Sequence, residues 1–116
     1  MEDDLIFHIC RKDEWRQFEK TSVYKGSSQD KKDGFIHFST SKQIEGSAAK
    51  HRAGQDNLVV FSVRVLDLDD KLKWETSGNG GLFPHLYGYL EFENVVKMAE
   101  LKLGTDGVHL FPHKFL

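Results

Sequence analysis

Asp33-Gly34-Phe35-Ile36-His37-Phe38-Ser39-Thr40 decides how this chain is read, because it sets a histidine where an apolar strand would hold Val or Leu. A turn leads into the stretch and two hydroxyls end it. At the two-residue period of a strand, His37 and Ser39 fall on the same side. A second block, Phe83-Pro84-His85-Leu86-Tyr87-Gly88, repeats the arrangement, with His85 and Tyr87 also two apart. Core filling does not account for two such histidines, each close to a glycine, and both blocks are read as facing a cleft.

Outward from these blocks the chain alternates strand-like and helix-like patches. Leu5 to Cys10 is an apolar run suited to a buried strand, and Arg11 to Lys20 follows as an amphipathic helix with Trp15 and Phe18 on its apolar stripe. Thr21 to Gly34, rich in Ser, Gly, Asp and Lys, reads as loop, which makes Tyr24 and Lys25 loop residues. Thr40 and Gln43 have capping-box spacing ahead of a helix over Ser41 to Arg52. Leu58 to Leu66 is the plainest strand, with Arg64 on its wetter face, and an acidic turn at Asp67 to Asp70 ends it. Leu72 to Glu75 reads as a short strand entering the glycine-rich loop Thr76 to Gly81, a candidate lid. Val95 to Leu103 and Val108 to Phe111 form a hairpin across Gly104 to Gly107. The expected fold is α+β: one compact domain over residues 1–116, with a mixed, mostly antiparallel sheet of five or six strands and two helices.

Composition narrows the function classes. A chain of 116 residues buries about 65% of the surface its unfolded form exposes, enough for one core without staples. Sixteen basic and 18 acidic residues, interspersed, give a net charge of −2 and no field that would draw in nucleic acid. The acidic start Met1-Glu2-Asp3-Asp4 does not resemble a signal peptide, and no apolar run approaches the roughly 20 residues of a spanning helix. Cys10 has no second cysteine to pair with, so a soluble, reducing, cytoplasmic setting is expected. Among the six histidines no pair shows metal-ligand spacing, so no metal is expected, although His8, His37, His85 and Glu75 converging in space stays open. His109 and His113 read as surface or tail residues, and His51 as a partner of its helix dipole.

The blocks Ile6-Phe7-His8-Ile9, Asp13-Glu14-Trp15, Gly34-Phe35-Ile36-His37-Phe38-Ser39 with Gln43, and Phe83-Pro84-His85-Leu86-Tyr87-Gly88 resemble the signature of the uncharacterised family called domain of unknown function 952. The resemblance runs over nearly the whole chain. The order of Phe7-His8, a helix, and the His37 block leading into a helix with Ser47-Ala48 is also similar to the first two motifs of the ADP-ribosyltransferase fold. That resemblance implies NAD as a substrate rather than a resident cofactor, with His8 holding the ribose and His37 in the position where an aromatic stacks on nicotinamide. Ile9-Cys10 departs from the small residue the pattern has after the first His, and in place of the usual catalytic Glu motif the resemblance leaves Glu75 or, better placed, His85.

Catalysis is therefore expected from His37, His85 and Glu75, and substrate binding from His8, Ser39 and Tyr87. The ligand expected is a nucleotide or NAD fragment. Two alternatives stay open. His37-Phe38-Ser39-Thr40 fits the H-x-S/T element of two-histidine phosphoesterases, with His85-Leu86-Tyr87 or His8-Ile9-Cys10 as a second copy. The same residues also suit a binding module without catalysis.

Overall fold

The alternation of side chains along two strands organises the whole structure, a computed structural model that describes residues 4–76, 81–112 and 114–116. Strand β1 (Leu5–Arg11) sends Ile6 and Cys10 into one apolar cluster and Phe7 and Ile9 into another. Strand β4 (Leu58–Arg64) pairs with it antiparallel and splits in the same way, Val59, Phe61 and Val63 against Leu58 and Val60. Both strands lie inside the molecule and are packed on both faces, so their sequences read as continuous apolar runs.

Helix α1 (Lys12–Thr21) follows β1, buries Trp15 and Phe18, and closes its first turn with the Arg11 N–H donating to Glu14 Oε1 at 2.8 Å. Strand β2 (Val23–Tyr24) comes next, then helix α2 (Ser28–Asp33), strand β3 (Ile36–His37) and helix α3 (Ile44–His51). Beyond β4, two single 3-10 turns lead to β5 (Leu72–Thr76), then β6 (Leu82–Leu86), β7 (Leu90–Glu91), β8 (Val95–Leu103) and β9 (His109–Leu110). The strands form a four-stranded sheet in the order β1-β4-β8-β9, a three-stranded sheet β3-β6-β5 and a two-stranded pair β2-β7. The radius of gyration, 13.4 Å, matches a compact single domain of this length.

The chain crosses between the larger sheets directly after β3. Phe38 donates its N–H to Pro84 O at 3.0 Å, on the three-stranded side. One residue later, Ser39 exchanges two backbone hydrogen bonds with Phe7 of β1, at 2.7 and 2.8 Å. The splay between the sheets opens here, bordered by α2 and α3.

Several expectations change. The described residues hold three helices, not two, because α2 and β2 lie inside the segment read as loop. The described residues hold nine strands against the five or six expected, and two of those not foreseen, β2 and β7, are only two residues long, too short to show a period. Among the described residues every strand pairing is antiparallel, so the sheets are not mixed. Helix α3 begins at Ile44 after a turn, and no side chain caps it. Thr40 contributes backbone instead: its N–H donates to Gln43 Oε1, and its carbonyl accepts from Gln43 and Ile44. The β8-β9 hairpin stands as expected, with β9 shorter. Among the described residues no helix is long and apolar enough to cross a membrane. Residues Met1, Glu2 and Asp3, the stretch Ser77 to Gly80 of the candidate lid Thr76 to Gly81, and His113 lie outside the described residues.

Phe61 is the hub of the first cluster. Its ring lies 5.3 Å from His8, 5.5 Å from Trp15 and 5.8 Å from both Phe18 and Tyr24. Phe61→Ala is expected to lower unfolding stability by about 3–5 kcal/mol, read from denaturant midpoints at unchanged slope.

Candidate functional site

The site is built around a carboxylate in the segment that reads as loop. Ser27 caps α2, accepting the Asp30 N–H at 3.2 Å, while Asp30 Oδ2 accepts the Ser27 N–H at 2.8 Å. This reciprocal pair holds Asp30 facing inward, 3% exposed. Asp30 Oδ1 accepts the His37 N–H at 3.1 Å and its ring Nδ1–H at 2.6 Å. Gly26 makes room for this: its φ is +106°, and a Cβ there would lie 2.6 Å from the Asp30 Cβ.

His8 reaches the same carboxylate from β1, Nε2 lying 3.4 Å from Asp30 Oδ2. Its Nδ1–H donates to the His37 carbonyl at 2.5 Å, which leaves Nε2 to accept the Tyr24 hydroxyl at 2.6 Å. Burial pushes His8 below the usual histidine range although Asp30 pulls the other way. Burial alone would raise Asp30, but the His8 ring, the His37 side chain and the N–H groups of Ser27 and His37 outweigh it and hold the carboxyl well below the usual range. The charge of the pair therefore sits on Asp30, with His8 neutral. Tyr24 is pushed far up, first by burial, and acts as a donor.

His37 and His85 stand directly opposite each other across β3 and β6, with ring centroids 5.5 Å apart. Both nitrogens of His37 face carboxylates, Nδ1 that of Asp30 and Nε2 that of Asp33 at 3.1 Å. His85 is different. Its Nδ1–H donates to Glu75 Oε1 at 2.8 Å, the Tyr87 hydroxyl donates to the same oxygen at 2.7 Å, and Phe35 stacks on the ring at 4.1 Å. Hydrogen bonds from Tyr87 first and then His85 hold Glu75 below the usual carboxylate range. Among the described residues His85 Nε2 has no hydrogen-bond partner, and His85 is one of the residues that line the cleft.

These groups border a cleft of about 780 Å³ that runs between α2 and α3 over β1 and β3. Of the residues expected in a site, His8, His37, Ser39 and His85 line it, while Glu75 and Tyr87 stand behind His85. Ser39 is buried and shares a hydrogen bond of 2.8 Å with Ser47 of α3. On the α3 side stand Lys42, Lys50, His51 and Arg52. His51 is held below its usual range by burial first, then by Lys50 and by His37 across the cleft. No group of three or more metal-binding side chains occurs among the described residues.

Two residues, Tyr24 and His109, take places other than those expected. Tyr24 is buried against His8 rather than loose in a loop. His109 is 7% exposed and donates Nε2–H to Gln55 O at 2.7 Å, so it is no surface residue. Cys10 faces the first core cluster, and burial pushes its thiol up to about 12, so it gives the cleft no nucleophile. Asp30 was missed, although Ser27-Ser28-Gln29-Asp30 has the spacing of a capping box and marks a helix start inside the polar stretch.

Fold and site together define a small α+β domain with three histidines drawn to the junction of two sheets. The chain belongs to the family described as "Protein of unknown function (DUF952)", which matches residues 9–98. It is similar to the crystal structure of protein CC0527 from Caulobacter crescentus, with 42% identity, TM-score 0.87, and coverage of 91% of this chain and 93% of that one. The solution NMR structure of CC0527 gives 42% identity and TM-score 0.81 over 90% of each chain. No curated protein matches the chain.

A neutral buried His8 gives stability a definite pH dependence. Its folded-state affinity for protons is depressed, so the unfolded chain takes up a proton below 6.5 that the folded chain refuses. Stability is complete above that value and falls below it, by at most about 1.4 kcal/mol per pH unit per proton. His51 acts in the same direction from an exposed site. Asp30 acts lower: its contribution is present above 3.8 and is lost as pH drops beneath that. The urea midpoint should be lower at about pH 5.5 than at about pH 7.5, and the gap should shrink in His8→Gln. An unchanged gap in that variant would place the titrating proton elsewhere.

Proposed function

We propose that the cleft binds a nucleotide of the NAD or ADP-ribose class and that His85, oriented by Glu75, moves the proton in cleavage of its N-glycosidic bond. The observation that carries this reading is the state of His85. Glu75 accepts from Nδ1, so Nε2 keeps its lone pair on a ring that lines the cleft. Such cleavage passes through an oxocarbenium-like state in which nicotinamide leaves C1′ with the bonding electrons while an acceptor oxygen attacks. The acceptor's proton goes to His85 Nε2, and Glu75 stabilises the imidazolium. Asp30 and Asp33 offer negative charge beside the same end of the cleft.

The remaining residues take supporting roles. His8, with both nitrogens engaged inside, braces the His37 backbone toward the ribose site, while Ser39 and Tyr87 border the substrate and the dyad. Two sheets splayed at the His8 and His37 motifs fit the ADP-ribosyltransferase resemblance. A buried Cys10 without a partner fits a cytoplasmic protein. The cross-strand placement of His37 and His85 favours a second reading, a two-histidine phosphoesterase, but both nitrogens of His37 already face carboxylates.

Thermal-shift titration with NAD, ADP-ribose and a 2′,3′-cyclic nucleotide checks the ligand class, since a ligand at about 100 times its dissociation constant adds about 2.7 kcal/mol. NAD or ADP-ribose should stabilise and the cyclic nucleotide should not. Nicotinamide release, followed by chromatography, should fall by about 10²-fold or more in His85→Ala with binding retained. A fully active His85→Ala would refute the base assignment, and binding without release by the wild type would leave a non-catalytic module.

A further inference from the structure

Gly46 has no internal reason to be glycine. It lies within α3, where glycine is among the least favourable residues, and its φ is not positive. A Cβ built on it meets no atom within 4 Å. Neither backbone geometry nor packing excludes a side chain there, yet Gly46 lines the cleft. Lys42 and Lys50, four residues before and four after, line it too, and neither has an ion-pair partner among the described residues. Lys42 stands in the turn ahead of α3, whereas Gly46 and Lys50, four apart, share one face of the helix. Two flexible lysine stems, one from the turn before α3 and one from its last turn, can close from either side onto an elongated anion laid at Gly46. The opposite wall carries Asp30 and Asp33, which repel an anion and leave the α3 wall as the side that accepts it.

We infer that the cleft's occupant lies against the α3 backbone at Gly46 and presents a diphosphate there, held between Lys42 and Lys50. This names the part of the ligand that the α3 wall reads, and it rests on the nucleotide reading only for what is attached to the diphosphate. The missing side chain lets phosphate oxygens reach the helix surface, while the lysines supply charge. The arrangement trades helix stability for approach.

That trade supplies the test. Titration calorimetry with inorganic pyrophosphate and with ADP-ribose is run on the wild type, Gly46→Ala, Lys42→Ala/Lys50→Ala, and His85→Ala. Gly46→Ala should raise Tm by about 4 °C without ligand, while weakening both probes by about tenfold or more. The lysine pair should weaken both without the rise in Tm and should flatten the salt dependence. His85→Ala should leave pyrophosphate affinity unchanged. If Gly46→Ala binds both probes as the wild type does, or lowers Tm, the diphosphate site is overturned while the nucleotide reading can stand. If pyrophosphate binds through Gly46 and the lysines but ADP-ribose gains nothing over it, the diphosphate site stands and the nucleotide reading falls. Binding of neither probe to the wild type overturns both.

Discussion

Everything around the cleft depends on keeping one carboxylate charged inside the protein. An ionised group taken out of water is expensive unless donors replace the water, and Asp30 receives the Ser27 N–H, the His37 N–H and the His37 ring. Each donor comes with a structural demand. Ser27 can donate only if α2 starts where it does, and α2 can lie there only if residue 26 has no side chain. His37 can donate twice only if β3 is fixed beside α2. The carboxylate thereby joins a helix and two sheets whose apolar contacts alone would leave their relative placement loosely specified.

The same demand sorts the three histidines. His8, closest to the core, spends one nitrogen on the His37 carbonyl and the other on Tyr24, and becomes part of the brace. His37 lies between two carboxylates and is half-exposed. His85 alone leaves a nitrogen open, because Glu75 and Tyr87 engage only its far side. Residues of one type, gathered within one site, thus differ in what they can still do, and the difference comes from their partners rather than from the motifs that carry them.

This is why the fold was more legible than the site. β1, α1, β4 and β8 could be read because burial repeats along the local chain, and the His37 and His85 blocks because a polar ring interrupts an apolar run. Tyr24, Asp30 and His109 could not be read in this way. Their partners lie 16, 7 and 54 residues away, and the polar stretch that carries the first two has the composition of a loop. The two-residue strands β2 and β7 are set by pairing with each other and have no period of their own. Composition reports exposure on average, whereas a capped buried carboxylate is the exception that such an average conceals.

The cleft that results has two unlike walls. Toward α2, Asp30 and Asp33 make a negative end, with the Glu75-His85 pair beside it; toward α3, Lys42, Lys50 and Arg52 make a positive one. Arg52 is partly committed, donating to the Ile9 carbonyl and to Gln55, so the positive charge on this wall without a partner among the described residues is that of Lys42 and Lys50. A uniformly anionic ligand would gain at one wall and lose at the other. A ligand with an anionic stretch and a centre that turns cationic as it reacts gains at both, and it gains more in the transition state than in the ground state at the acidic end. In the proposed reading this polarity sets an orientation as well as a ligand class, with the anionic part along α3 and the reacting carbon toward His85.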